Sequence, residues 1–359
     1  MMLLLYILAI LIALLISFLP GIHINLVYSI FSKYIYEKSF FLFLLGLYLP
    51  LSVIPLLLFN VSEENIASAP YFQRIKNKSK LFSFYVASVL LSAFISLFFP
   101  NTLFNVVWKI KPYMPYIITF ISIIMVVKSK HKFYFIIFFL LSSLLGFHVL
   151  NSPLKDKFLP MFTGFFAVPF LLFSIPSKRQ ILFVDIDPSF ILPTLVGVVF
   201  GFIALLLPGV SSPSVVSLLI NPFFPSVQYV SLLSSITTTQ YMLSIPNYLV
   251  THTKRVGIID YLSNFQLNYS DNIIIFIGII VGVILVLLLV NRLPFIKNYK
   301  VLLLYILFIV FLIDGLYGLF IFLLSALLGI LCRKYSVSPM ALLGSIISYT
   351  FFIYLIKPV

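Results

Sequence analysis

Phe18-Leu19-Pro20-Gly21-Ile22-His23-Ile24-Asn25 ends an apolar run, and 188 residues later Leu206-Leu207-Pro208-Gly209-Val210-Ser211-Ser212-Pro213-Ser214 does the same. Proline removes a backbone donor and glycine relaxes the chain, so each pair is expected to break a helix. At membrane depth such a break survives only where it faces protein or a water-filled cavity. Two breaks in corresponding halves are the sequence pattern of a transporter's central binding site.

The surroundings are those of a membrane. The chain has 359 residues, of which 62% are hydrophobic and 9% charged, with a mean hydropathy of +1.19. A soluble domain carries about 25% charged residues. Apolar runs predict about twelve membrane helices near 2–19, 39–59, 81–99, 112–127, 133–150, 158–176, 190–207, 228–249, 273–291, 300–313, 316–331 and 336–356. The first is expected to be a retained helix, since no basic leader or small-residue cleavage site accompanies it. The fold class expected is an all-α multi-pass protein of the cell membrane.

The net charge of +14 does not imply nucleic acid, because the basic residues are scattered through short loops. A lone cysteine, Cys332, excludes an intramolecular disulfide and a thiolate metal site. No cofactor and no metal are implied. Motifs for zinc proteases, nucleotide phosphates and nucleophile elbows are absent, so an enzyme is not expected.

A duplication reaches past the two breaks. Ala9 and Ala13 match Gly197 and Gly201 at the same offset, and Val53-Ile54-Pro55 matches Ser244-Ile245-Pro246. Phe139-Leu140-Leu141-Ser142-Ser143-Leu144-Leu145-Gly146 matches Phe322-Leu323-Leu324-Ser325-Ala326-Leu327-Leu328-Gly329. The order is preserved, so we read one membrane domain of two repeats, 1–177 and 178–359. Basic residues decide their relative sense. If the repeats are inverted, fourteen of the 23 lysines and arginines fall on the side of loop 60–80 and seven on the other, with Lys33 and Lys38 unplaced. A parallel arrangement leaves twelve against nine, so inverted repeats are expected.

Beyond the breaks, Gly21, His23, Asn25, Gly209, Ser211, Ser212 and Ser214 are candidate substrate-binding residues around Pro20 and Pro208. A helix restarting there would offer free N–H groups and its positive dipole end to an anion. As plain structure, the same Ser and Asn would cap the broken helix. Ser235, Thr237, Thr238, Thr239 and Gln240 form an unusually polar stretch for a span, and are candidate cation-binding or path-lining residues. Hydrogen bonding between helices is their structural alternative. No Asp or Glu falls deep within a predicted span, so a cation site would use neutral oxygens.

These motifs resemble the large membrane subunit of the tripartite tricarboxylate transporters, in a shorter archaeal branch. The resemblance rests on Leu19 through Asn25, on Pro55 followed by Glu63-Glu64-Asn65, on Pro208 through Ser212, and on Gly318 through Gly329. It implies a secondary-active permease for small organic carboxylate anions, driven by an ion gradient. It also implies a small membrane subunit and a solute-binding protein as partners, beside the substrate and membrane lipid. The chain departs from the archaeal pattern at Ser52 and at Thr237 through Gln240, where acids are expected, and at Asn60 and Ser62. The family's coupling acids are therefore not carried over. Proline–glycine breaks also occur in polyprenyl-phosphate carriers, and a non-transporting membrane assembly protein is the third reading.

Overall fold

The computed structural model describes residues 2–18, 24–32, 34–59, 75, 77–173, 181–206, 226–254, 257–292 and 299–356. Among these there is no strand. The first half contributes α1 (Met2–Ser17), α2 (Ile24–Phe31), α3 (Lys38–Leu51), α4 (Val53–Phe59), α5 (Lys78–Leu97), α6 (Met114–Lys128), α7 (Lys132–Leu150) and α8 (Phe158–Phe173). The second contributes α9 (Ile191–Leu206), α10 (Ser226–Thr251), α11 (Gly257–Leu262), α12 (Asp271–Leu289), α13 (Tyr299–Lys334) and α14 (Gly344–Ile356). Six helical stretches among the described residues are long and apolar enough to cross a membrane. This is an α-helical membrane protein.

Each apolar run named from the sequence coincides with a helix, although several are too short to count among those six. Two runs, 300–313 and 316–331, lie along α13 and are separated by Gly315, whose backbone leaves the helical region at φ 66° and ψ −156°. At that junction Asp314 Oδ1 accepts the backbone N–H groups of Lys155 (2.9 Å) and Asp156 (3.1 Å). Asp156 in turn caps α8 by accepting from Phe158 N and Leu159 N, both at 3.0 Å.

The helices gather into two compact units, and neither follows the 177/178 boundary. The first unit holds α1 to α5 from the first half and α9 to α12 from the second. Within it α3 lies along α12, and α10 lies between α5 and α9. Gly46 and Gly278 let the backbones of α3 and α12 touch, since a Cβ on either would overlap a backbone carbonyl of the other helix. In lipid, where burial of apolar area does not drive helices together, such close approach supplies the packing energy. The α3–α4 stretch is the core of this unit, buried along almost its whole length from Ser39 to Leu57.

The second unit holds α6 to α8 and α13 to α14. Here α7 packs along α14 and α8 along the latter part of α13. A Cβ on Gly344 would meet Phe139 O, Ser142 Oγ and Ser143 Oγ; one on Gly164 would meet Phe322 O, Ser325 Cβ and Ala326 N. A Cβ on Gly146 would meet Ser345 O, and one on Gly329 would meet Phe165 O. α8 carries a π-helical turn at Thr163–Ala167, whereas the segment leading into α14 is a 3₁₀ turn at Pro339–Leu343.

Candidate functional site

The residues flanking the two proline–glycine pairs are where helices stop: α1 ends at Ser17 and α9 at Leu206, while α2 begins at Ile24. Pro20, Gly21, His23, Pro208, Gly209, Ser211, Ser212 and Ser214 lie outside the described residues. Asn25 falls in the first turn of α2, and its side chain also lies outside the description.

The polar stretch of α10 is described, and it is unusual. Ser235, Thr237, Thr238, Thr239 and Gln240 are all buried, together with Ser231, Ser234, Ser244 and Asn247. Although 26 residues long, α10 is not among the six helices apolar enough to cross a membrane by composition. Its neighbours make room for it. A Cβ on Gly197 of α9 would overlap Ser235 Oγ and Leu232 O, and one on Gly201 would overlap Thr239 Cβ and Ile236 O. Without side chains at 197 and 201, α9 approaches the hydroxyl face of α10 closely.

Hydroxyls in helices usually donate back to a carbonyl one turn earlier. Several here do so: Ser234 to Ser231 O (3.2 Å), Ser235 to Leu232 O (2.9 Å) and Ser244 to Tyr241 O (2.6 Å). On the facing α5, Ser92 and Ser96 donate to Ser88 O and Ser92 O, and Ser88 Oγ lies 2.9 Å from Thr194 Oγ1 of α9. Three hydroxyls of α10 stand apart. Ser231 Oγ, Thr237 Oγ1 and Thr239 Oγ1 are buried and have no hydrogen-bond partner among the described residues. A buried unsatisfied hydroxyl costs about 1–3 kcal/mol, so three on one helix are an expense that packing alone does not explain.

Their directions limit what they can hold. At about 100° per residue, Ser235 and Thr239 share one side of α10 and Thr237 faces nearly the opposite way. The five residues singled out in the sequence therefore do not converge on a single ion. They spread hydroxyl groups around a buried helix, which suits a polar path better than one coordination shell.

Two polar sites escaped the sequence reading. Ser52, at the turn between α3 and α4, has its Oγ 2.5 Å from Tyr85 OH, and both bond Leu49 O. Lys38 Nζ lies 2.9 Å and 3.0 Å from the two carboxylate oxygens of Asp271 and donates to Gln266 O (2.9 Å). That pair ties the start of α3 to the start of α12. Its signal was only that two charged residues each open an apolar run, and nothing local paired them. Among the described residues no cluster of three or more His, Cys, Asp or Glu side chains is placed to hold a metal. No family model, no curated protein and no solved structure matches the chain, so the site is read from its own geometry.

Proposed function

We propose that the chain is a multi-pass permease of the cell membrane carrying a small organic carboxylate anion by secondary-active transport, and a relative of the tripartite tricarboxylate transporter large subunit. One observation carries the reading: buried hydroxyls on α10 that have no hydrogen-bond partner among the described residues. Hydroxyl donors and the amides of a broken helix bind an anion through dipoles, without a buried cation.

The repeat reading belongs to the same proposal. Phe139, Ser142 and Ser143 meet Gly344 as Phe322, Ser325 and Ala326 meet Gly164, and Gly146 meets Ser345 as Gly329 meets Phe165. These are the residues the sequence match pairs, and each contact exchanges a helix of one half for the equivalent helix of the other. The stacked rings of Tyr134 and Tyr335, 5.0 Å apart, favour inverted repeats, because they set the start of α7 beside the end of α13. The proposal includes about twelve crossings.

The test is uptake of radiolabelled citrate or succinate by proteoliposomes containing the purified chain. Wild type takes up at least one of them under an imposed ion gradient. Gly209→Val abolishes uptake in a preparation that still inserts and purifies, since a side chain there blocks close approach of an anion to the backbone. Thr237→Val lowers substrate affinity by roughly two- to tenfold, the worth of one neutral hydrogen bond, while leaving thermal stability equal or higher. Uptake by Gly209→Val at the wild-type rate would remove the break from the mechanism. No carboxylate flux in any preparation, with lipid-phosphate transfer instead, would replace the reading by the carrier alternative.

A further inference from the structure

At one end of the second unit, α6 finishes at Lys128, the loop to α7 carries Lys130 and His131, and α7 starts at Lys132. The last residues of α13, Arg333 and Lys334, lie at the same end. The stacked Tyr134 and Tyr335 rings bring the two segments together, with an interplanar angle of 22°, and Phe138 reaches Tyr335 at 6.3 Å. The described acids of this unit, Asp156 and Asp314, are at the opposite end, where His148 Nε2 lies 2.6 Å from Tyr317 OH. Among the described residues of this unit, no acid compensates the basic end.

Not every charge there is spare. Arg333 donates to Pro169 O (3.3 Å) and Phe173 O (3.2 Å) and covers the Phe173 ring. Lys130, Lys132 and Lys334 are exposed and take part in no ion pair among the described residues. Tyr134 and Tyr335 are 41% and 45% exposed, and the α7 surface continuing toward the bilayer shows Phe133, Ile136 and Leu140 to the outside. Tyrosine favours the headgroup level of a membrane, with its ring against chains and its hydroxyl in water.

We propose that this end of the second unit is a binding site for an anionic phospholipid, its headgroup held by Lys130, Lys132 and Lys334 and its acyl chain laid along the Tyr134–Tyr335 stack and the α7 face. The occupant is a lipid and not a soluble anion, because the charges border an exposed aromatic pair that continues into an apolar surface. The positive-inside tendency asks only for charge; this site adds a shaped apolar partner to it. The proposal is independent of what the protein carries.

Purified full-length chain in micelles doped with phosphatidylglycerol or phosphatidylcholine tests it, with retained lipid counted by native mass spectrometry and thermal midpoint as the second readout. Phosphatidylglycerol should be retained and raise the midpoint, phosphatidylcholine should do neither, and inorganic phosphate at equal concentration should give no shift. Lys130→Gln/Lys132→Gln should weaken phosphatidylglycerol about thirtyfold, from the usual worth of a lysine near an anionic surface. Lys109→Gln/Lys155→Gln, which removes equal charge elsewhere, should leave it unchanged. Tyr335→Leu should reduce retention with the charge intact. Equal retention of both lipids, equal loss in the two double variants, or a shift with free phosphate would each overturn the proposal.

Discussion

Gly315 interrupts α13 at φ 66° and ψ −156°, with open space where a Cβ would stand. An Ala there meets no atom, so its whole cost is backbone strain in a region only glycine enters freely, about 1–3 kcal/mol. Gly315→Ala is therefore expected to lower the thermal midpoint, or to straighten α13 and release Lys155 and Asp156 from Asp314. Hydrogen exchange at residues 155 and 156 separates the two outcomes. Gly344→Ala should cost through sterics instead, because its Cβ would overlap Phe139 O. The hydrogen bond from Lys80, and then the one from Ser189, hold the Asp187 carboxyl down to about 2, from an ordinary 3.8. A carboxylate with a depressed folded value adds stability above its unfolded value and loses it as pH falls through the folded one. Asp187 caps the turn leading into α9 through Ser189 N (2.9 Å). Protease resistance around residue 187 should accordingly decline between about pH 4 and pH 2, and Asp187→Asn should remove that decline. The Lys80–Asp187 pair is open to solvent on one side, so high salt should flatten the effect.

The Lys38–Asp271 pair joins two elements and is partly buried, with Asp271 4% exposed and the Lys38 side chain 24%. Removing one partner of a fully buried pair costs about 3 kcal/mol or more and less where the remaining charge reaches water, whereas replacing both by apolar residues is often neutral. Asp271→Asn should lower the thermal midpoint clearly, and Lys38→Met/Asp271→Leu should restore most of it. Failure of the double variant to recover would mean that Gln266 O and Asn268 N, also bonded there, need the charged groups. The elements themselves were legible. Apolar runs marked where the long helices lie, because about 20 residues of hydrocarbon depth leave little choice of length, but they missed the short α2 and α11 and merged α3 with α4. The break in α13 was legible too, as the gap between two short runs at Asp314 and Gly315. What lay beyond the sequence was which helix faces which. Sequence reading grouped Ser235 with Thr237 through Gln240 as one polar patch, and the helical turn scatters them. It also assigned Ser52 no partner, since Tyr85 lies on a different helix.

At the scale of the molecule, the sequence halves and the compact units cut across one another. Residues 1–177 and 178–359 each give helices to both units, so neither half can bury its own contact faces. In the first unit α3 needs Gly278 of α12; in the second, Ser142 and Ser143 of α7 need Gly344, with Ser142 Oγ donating to Ala341 O (3.0 Å) and Ser143 Oγ 2.7 Å from Ser348 Oγ. Expressed alone, either half should insert yet remain protease-sensitive, and co-expression should restore a resistant complex that purifies on a tag carried by one half. Independent resistance of a lone half would contradict the interleaving. The same geometry fixes an accessibility experiment. Cys332 is buried, so single cysteines at exposed positions report cleanly in the natural background. His131→Cys and Ser336→Cys should react with a membrane-impermeant maleimide from one and the same face, because Tyr134 and Tyr335 lie together. Asn151→Cys should react from the other face, α7 having crossed between. Labelling of 131 and 336 from opposite faces would break the inverted-repeat reading at its foundation, since no α7–α13 contact of the observed kind survives a parallel arrangement.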